Sequence, residues 1–468
     1  MRGGLIGREW SPSAASPGPA AAQPVRVQGP LLTRGGARDG MILVIEQGLR
    51  IGLVTVMGMW MAHALGPESF GLLNYVSAIV AIFYVASTLG LDNQVLARLS
   101  RDPSTAGSVL GSCVAVRFGL GLLCIPLAWA LVAWAQPQDR EATVLVLVAA
   151  CTVPLYAPAI LDAWFKQRQL ALPAAFTRLG ATVVSSAAKA ACLLAGAGLL
   201  ALAGTMVLEA VVASVLLWLV YRSYTRGQST SPLALHPARA GELLRGCLPH
   251  ALAALAIVAY LKVDVVMLGM LSTRTETGLY SLSQKLCEVL YVLPVVIVDV
   301  LYPRLARHLD LTRGHGLSDS QLYFDVAVGT AMLATLLAIA LSGWLIPAVF
   351  GEPYRRSADI FQLHALSCVG IAMAHARLKW LVAAGRERTA LVVTVLGLGV
   401  AVVMHAWLIP LAGAWGAAAA AVLGFTAGGY LASWLVPGLR EVARLQTRAC
   451  WPWGRLVREW RARQGAGR

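Results

Sequence analysis

Residues 63–103 read HALGPESFGLLNYVSAIVAIFYVASTLGLDNQVLARLSRDP. From Leu72 to Asp92 this stretch is almost wholly apolar, and Arg98 and Arg101 follow it. A hydrocarbon core of about 30 Å needs about 20 mostly apolar residues per helix. The stretch fits that length and has none of the alternating polarity of a membrane strand of about ten residues. It reads as one spanning helix ending in a basic loop.

The same template recurs outward in both directions. It predicts about twelve spans, near 41–64, 72–92, 108–135, 142–162, 171–198, 199–221, 248–271, 278–302, 323–350, 359–384, 389–413 and 414–440. Composition agrees: of 468 residues, 58% are hydrophobic and 13% charged, and the mean hydropathy is +0.68. Soluble domains carry about 25% charged residues, so this chain has too little polar surface for water. The predicted fold class is an all-α polytopic membrane protein.

A second stretch repeats the first at a spacing of 207 residues. Gly71-Leu72 aligns with Gly278-Leu279, Tyr84-Val85 with Tyr291-Val292, and Asp92 with Asp299. Arg304 and Arg307 then follow, one residue out of step with Arg98 and Arg101. The repeat predicts two pseudo-symmetric six-helix bundles related by an axis along the membrane normal, with a cleft between them. The expected organisation is a disordered basic tail at 1–40, bundles at 41–221 and 248–440, a linker at 222–247, and a basic tail at 441–468.

The net charge of +15 reads as topology rather than as nucleic-acid binding. Cytoplasmic loops are enriched in Lys and Arg. One set of alternate connections carries Arg98, Arg101, Lys166, Arg168, Arg222, Arg226, Arg239, Arg245, Arg304, Arg307, Arg313, Arg386 and Arg388. The other carries Arg140, Arg274, Arg355 and Arg356. Both termini are therefore expected in the cytoplasm, in an inner membrane. The eight cysteines are scattered without C-x-x-C spacing and suggest neither zinc nor a disulfide framework. No metal motif, nucleophile elbow or sizeable loop suggests an enzyme, and no cofactor is expected.

Eight cations fall inside the predicted spans: Arg50, Arg117, Arg178, Lys189, Lys262, Lys285, Arg377 and Lys379. A centrally placed charge costs about 2.5–3.5 kcal/mol on insertion scales, so eight facing lipid would cost on the order of 20–28 kcal/mol. They must snorkel, pair or line a hydrated cavity. Glu46 and Arg50 stand at i,i+4, and Lys285 and Glu288 at i,i+3, so both can pair along a helix. Arg377 and Lys379 lie near a helix end and can snorkel. Arg178 and Lys189 are eleven residues apart, on nearly one face. Glu288 and Asp299 share that relation, as do His364 and His375. The expected substrate-binding cations of the cleft are Arg50, Arg117, Arg178, Lys189 and Lys262. Glu46, Asp264, Glu288, Asp299, His364 and His375 are candidates for ion coupling or charge pairing.

The quoted stretch resembles O-antigen and polysaccharide flippases of the Wzx type through its L-G-x-x-x-F-G turn and its G-L-D turn before a basic loop. Residues 262–308, KVDVVMLGMLSTRTETGLYSLSQKLCEVLYVLPVVIVDVLYPRLARH, carry the matching features D-x-x-x-L-G, G-x-Y and P-R-L-A. The family belongs to the multidrug/oligosaccharidyl-lipid/polysaccharide exporter superfamily. The resemblance implies two helical bundles around a central cavity and export of an undecaprenyl-diphosphate-linked glycan. Membrane lipid, and a polymerase or assembly protein, are the implied partners. A lipid-linked peptidoglycan precursor flippase and a drug or cation antiporter are alternatives within the superfamily, and a membrane glycan polymerase or ligase is the alternative outside it.

Overall fold

The computed structural model describes residues 34–226, 233–308 and 317–451. Among these residues all regular structure is helical. In chain order the helices are α1 (Arg34–Thr88), α2 (Leu91–Arg101), α3 (Ala106–Ala135), α4 (Arg140–Ala150), α5 (Thr152–Leu155), α6 (Asp162–Gln167), α7 (Ala171–Leu194) and α8 (Leu199–Thr225). The second half holds α9 (Pro237–Leu271), α10 (Arg274–His308), α11 (Leu317–Phe350), α12 (Arg355–Ala365), α13 (Ser367–Ala383), α14 (Glu387–Thr426), α15 (Ala432–Leu435) and α16 (Arg440–Ala449).

Among the described residues, nine segments are long and apolar enough to cross a membrane. Two of them are each a pair of spans meeting at a glycine. α1 leaves helical geometry at Gly66 (φ 71°, ψ 173°), and α14 does so at Gly413 (φ 54°, ψ −127°). Both glycines adopt positive φ, which costs an L side chain strain. Pro67 then restarts the helix at a first-turn position, where its missing N–H is not needed. α7, with 24 residues, is also long enough but more polar, carrying Thr177, Arg178, Thr182, Ser185, Ser186 and Lys189. The nine segments, the two extra spans and α7 make the expected twelve.

Buried apolar residues fall into three main cores. One unites both halves: Phe70, Tyr75 and Ile79 of α1 and Val146 of α4 pack in it with Val265 of α9, Tyr280 of α10 and Ile409 of α14. This is the end bearing Gly66, Gln136, Ser272 and Gly413, called here the closed end. At the opposite, basic end the packing divides. Leu91, Val95 and Leu99 of α2 join Trp164, Phe165 and Tyr221 in a first-half core. Val298, Phe324, Trp380 and Leu445 form a second-half core. α2 reaches its core because Leu91, Val95 and Leu99 recur every four residues on one face.

The two repeats meet at the closed end. A Cβ on Gly71 would lie 2.2 Å from the Arg274 carbonyl oxygen and 2.6 Å from the Gly278 nitrogen, and one on Gly278 would lie 1.8 Å from the Pro67 carbonyl oxygen. Equivalent residues touch each other where a two-fold axis passes between them. The glycines that align at 207 residues therefore mark the pseudo-symmetry axis, where backbones approach too closely for any side chain. Symmetry is incomplete: α10 runs unbroken through Val296 and Ile297, whereas its counterpart breaks at the equivalent Leu89 and Gly90 (φ 50° and 62°).

Three boundaries differ from expectation. α1 begins at Arg34, inside the expected tail. Residues Arg440–Ala449, expected in a basic tail, form α16, whose Leu445 and Ala449 are buried in the second-half core. Its basic residues hid a strong amphipathic pattern. The expected linker is largely helix as well, since α9 starts at Pro237 and docks on the first half: Arg98 pairs with Glu242, and the His236 N–H donates to Ser112 Oγ at 3.0 Å. The remaining tail residues, 1–33 and 452–468, lie outside the described residues.

Candidate functional site

A central cavity of about 340 Å³ is walled by the first half and reached from the second half by Lys285. Its wall mixes Met57, Met61 and Phe70 with Asn74, Ser77, Tyr84, Tyr156, Lys189, Glu209 and Lys285. A second cavity of about 290 Å³ shares Val54, Gly58 and Lys285 with it and adds Arg50, Thr55 and Glu288. The second cavity lies between α1 and α10, and Lys285 joins it to the first to make one crevice. Gly58 lies beside Lys285: a Cβ there would meet the lysine Cδ at 3.8 Å, an ordinary contact.

The cations expected in the cleft are mostly neutralised. Arg50 lines the second cavity, with its Nε 3.6 Å from Glu46 Oε1. Lys189 lines the central cavity and lies 3.3 Å from Glu209 Oε2. Arg117, Arg178 and Lys262 line neither cavity. Each has found an acid instead: Arg117 donates to Asp92 at 2.6 Å, Arg178 to Asp162 at 3.0 Å, and Lys262 to Glu288 at 2.7 Å. Removing one partner of such a pair would leave a charge stranded in a medium that solvates it poorly. A helical stripe of cations therefore does not by itself identify a wetted face.

The eleven-residue pairs separate in the same way. Glu288 turns to Lys262, while Asp299 accepts from His375 Nε2 at 3.2 Å and lies 2.9 Å from Lys379 Nζ. The His364–His375 stripe is interrupted where α12 ends and α13 begins. His364 is buried, stacked on Tyr280 at 5.1 Å between ring centroids and 3.4 Å from Ser283 Oγ and Tyr291 Oη. Asp264 belongs to this group and accepts from Tyr280 Oη at 2.7 Å, Gln284 Nε2 at 3.1 Å and the Val265 N–H at 2.8 Å. Among the described residues it has no cation within 4.0 Å. Arg377 does not snorkel; it is 4% exposed and bonds within the second half.

Lys285 is the residue that sequence reasoning missed. Its expected partner Glu288 is taken by Lys262, and no carboxylate or hydrogen-bond acceptor among the described residues holds its ammonium. It is thus the unpaired cation on the crevice. A signal was available: Lys285 lies seven residues, two turns, after Gly278, and so on the face of α10 that meets α1.

The closed end seals the cavity from one side. Arg274 Nε and Nη2 donate to Asp139 at 3.0 and 2.6 Å, and its Nη1 to Glu141 at 2.7 Å. Burial pushes the Asp139 carboxyl up, but the Arg274 hydrogen bond and charge more than offset this and hold it below the usual aspartate range. Gln136 Nε2 donates to the Gly269 carbonyl, and Tyr354 Oη to the Ala62 carbonyl at 3.0 Å. Glu276 caps the span that restarts after Gly413, accepting from the Ala414 N–H at 3.0 Å, and also from Arg356 at 2.8 Å. That satisfies one of the orphan donors of a helix N-terminus. These contacts hold the two halves together at the closed end.

Comparison with known proteins agrees with this architecture. No curated protein matches the chain. Among solved structures, the fold is similar to "Lipid II flippase MurJ, inward closed conformation", with a TM-score of 0.70 at 11% identity, covering 88% of this chain and 91% of that one. It is also similar to an inward-facing multidrug resistance MATE family transporter of the MOP superfamily, with a TM-score of 0.62 at 14% identity over 86% and 99% of the two chains. A MOP superfamily transporter from Pyrococcus furiosus, described as having a binding pocket of reverse polarity, matches with a TM-score of 0.53 at 16% identity over 85% and 94%. These likenesses show the transporter fold. Residues 37–309 match the polysaccharide biosynthesis protein family, which places more than half of the chain within it. The chain is a multi-pass membrane protein that belongs to the polysaccharide biosynthesis protein family.

Proposed function

We propose that this protein is a flippase that moves an undecaprenyl-diphosphate-linked oligosaccharide, the repeat unit of an O-antigen, capsule or exopolysaccharide, to the outer leaflet by alternating access. The observation that carries the reading is Lys285, a cation unpaired among the described residues, on a crevice of mixed polar and apolar wall where α1 meets α10. A diphosphate is the part of such a cargo that most needs a positive partner, and a lysine ammonium supplies a mobile point charge. Asn74, Ser77, Tyr84 and Tyr156 offer hydrogen bonds to sugar hydroxyls. The basic end faces the cytoplasm of an inner membrane, as its loops imply, so the cavity takes cargo from inside. Family membership supports a glycan cargo, and the similar lipid II flippase supports a lipid-linked one. The second reading is a peptidoglycan precursor flippase. A cation antiporter fits less well, because the free charge in the crevice is positive.

Asp264 supports ion coupling, since a buried carboxylate held only by neutral donors and without a cation partner can take up a proton or sodium ion. Neither chemistry needs a cofactor or a catalytic step, and polymerase or assembly proteins would act on the product.

The test is reconstitution with defined lipid-linked glycans. Lys285→Gln should lower the transport rate about tenfold or more, the scale of one charge-assisted hydrogen bond. Expression should hold or rise, because an uncompensated buried charge is removed. Normal transport by Lys285→Gln and by the Lys189→Gln, Lys285→Gln double variant would remove the cationic site from the mechanism.

A further inference from the structure

A third cavity, of about 260 Å³, lies inside the second half and shares no lining residue with the central crevice. Its wall is apolar, with Val295, Leu378, Val393 and Phe425 prominent, and Arg377 stands on it. Ile257 and Leu261 of α9 also line it and are 40% and 41% exposed, so they form its mouth at the surface of the bundle.

Arg377 is unlike the other span cations. Its Nη1 donates to the Gly429 carbonyl at 3.1 Å and to Ser433 Oγ at 3.0 Å. Among the described residues no carboxylate lies within 4.0 Å, and its Nε and Nη2 have no hydrogen-bond partner. His375, the other titratable cation on this wall, is turned to Asp299. A guanidinium only 4% exposed thus keeps a full charge and two free donor groups on a mainly apolar wall, whose other polar residues are Tyr260, Tyr291, His375 and Thr394. Uncompensated charge in such surroundings is costly, and what would relieve it is an anion whose remaining surface is apolar.

We propose that this cavity binds a phosphate-headed lipid, with the phosphate on Arg377 and the hydrocarbon chain along Val295, Leu378 and Val393. Phosphate suits the site because the planar guanidinium presents donors in a fork that matches its oxygens. The chain leaves past Ile257 and Leu261 toward the bilayer. The site is separate from the cargo crevice, so it holds its lipid whether or not the crevice is filled.

Binding is read by native mass spectrometry of the purified full-length protein in detergent. A Lys285→Gln background keeps the crevice cation out of the measurement and separates this proposal from the transport reading. The probes are dodecyl phosphate, dodecanol and inorganic phosphate. One dodecyl phosphate should bind, and Arg377→Gln should weaken it about tenfold or more, the scale of a lost charge-assisted hydrogen bond. Ala374→Leu, which adds bulk to the cavity wall and leaves the arginine in place, should weaken it too and guards against misfolding of the arginine variant. Equal binding of dodecanol would show an apolar hole with no anion site. Inorganic phosphate displacing dodecyl phosphate at equal concentration would show a free-phosphate site and overturn the lipid assignment. Undiminished dodecyl phosphate binding in both variants would overturn the site altogether.

Discussion

The Arg274 clamp should set how long the closed end stays shut. Arg274→Gln removes a bidentate pair to Asp139 and a single bond to Glu141. The Arg274 and Asp139 side chains are 28% and 17% exposed, and Glu141 is 50% exposed. Hydrogen bonds to charged groups contribute about 1.5–3 kcal/mol when well shielded; exposed pairs contribute about 0.2–1 kcal/mol. The half-shielded clamp falls between, at about 1–2 kcal/mol, which is a factor of about 5–30 in an equilibrium. The assay is labelling of Met61→Cys, on the central cavity, in a background stripped of the eight native cysteines, by an impermeant maleimide added outside. Arg274→Gln should speed labelling about 5–30-fold. Asp139→Asn should give a smaller increase, because the Arg274 bond to Glu141 remains, and the double variant should exceed Arg274→Gln by little, because the Asp139 pair is then already lost. An unchanged rate in both variants, with thermal stability intact, would refute the clamp.

The same clamp carries a pH signature. Its Asp139 carboxyl is held below the usual aspartate range in the closed state. A group whose pKa is depressed by a contact stabilises that contact above its ordinary pKa, about 3.9 for aspartate, and stops doing so as pH falls through the lowered value. The labelling rate of Met61→Cys, divided at each pH by that of the same thiol in the denatured protein to remove the change in thiolate fraction, should therefore be flat from neutral pH down to about 5 and rise only below the normal aspartate range. A rise between pH 6 and 7 would assign the gate to another group.

Gly278→Ala should force α1 and α10 apart, because its Cβ would sit 1.8 Å from the Pro67 carbonyl oxygen. Overpacking costs about 1–3 kcal/mol, so outside labelling should rise and the melting temperature fall, whereas Gly58→Ala, with its nearest contact at 3.8 Å, should leave both nearly unchanged. Asp264→Asn should keep the fold, since an amide oxygen still accepts from Tyr280, but should abolish the response of transport to an imposed proton or sodium gradient. A retained response would move the coupling to another group.

The fold was legible because it rests on quantities that a sequence displays. Span length, apolar runs and a repeat at 207 residues gave twelve helices and two halves, and the repeat pointed to the glycines that touch. Charge partners were not legible, because they depend on which helices become neighbours. Lys285 and Glu288 stand one turn apart, yet Glu288 reaches across to Lys262 on α9. Arg178 and Lys189 share a face of α7 but find Asp162 and Glu209 on different elements. α16 was read as tail because its charges dominated its composition, while Val442, Leu445 and Ala449 carried the packing. Arg377 looked close enough to a helix end to snorkel, and only the bundle around it shows that it points inward.

The placement of the cores decides which step of a transport cycle is hard. At the basic end the halves have separate cores, so opening there separates little apolar surface. At the closed end one core spans both halves, and opening it must expose apolar residues of α1, α9 and α10. Each 200 Å² so exposed to water costs on the order of 5 kcal/mol. Breaking the Arg274 clamp adds about 1–2 kcal/mol, a minor share. The clamp therefore tunes the timing of the gate, while apolar packing sets its height. Outward opening becomes accessible only if the two basic-end cores bury comparable surface against each other as they close, and if the cargo binds the outward state better than the inward one. A ligand with equal affinity for both states shifts nothing, however tightly it binds. In the proposed cycle Lys285 would supply that difference, because it lies on α10, two turns from the Gly278 contact at which the halves meet.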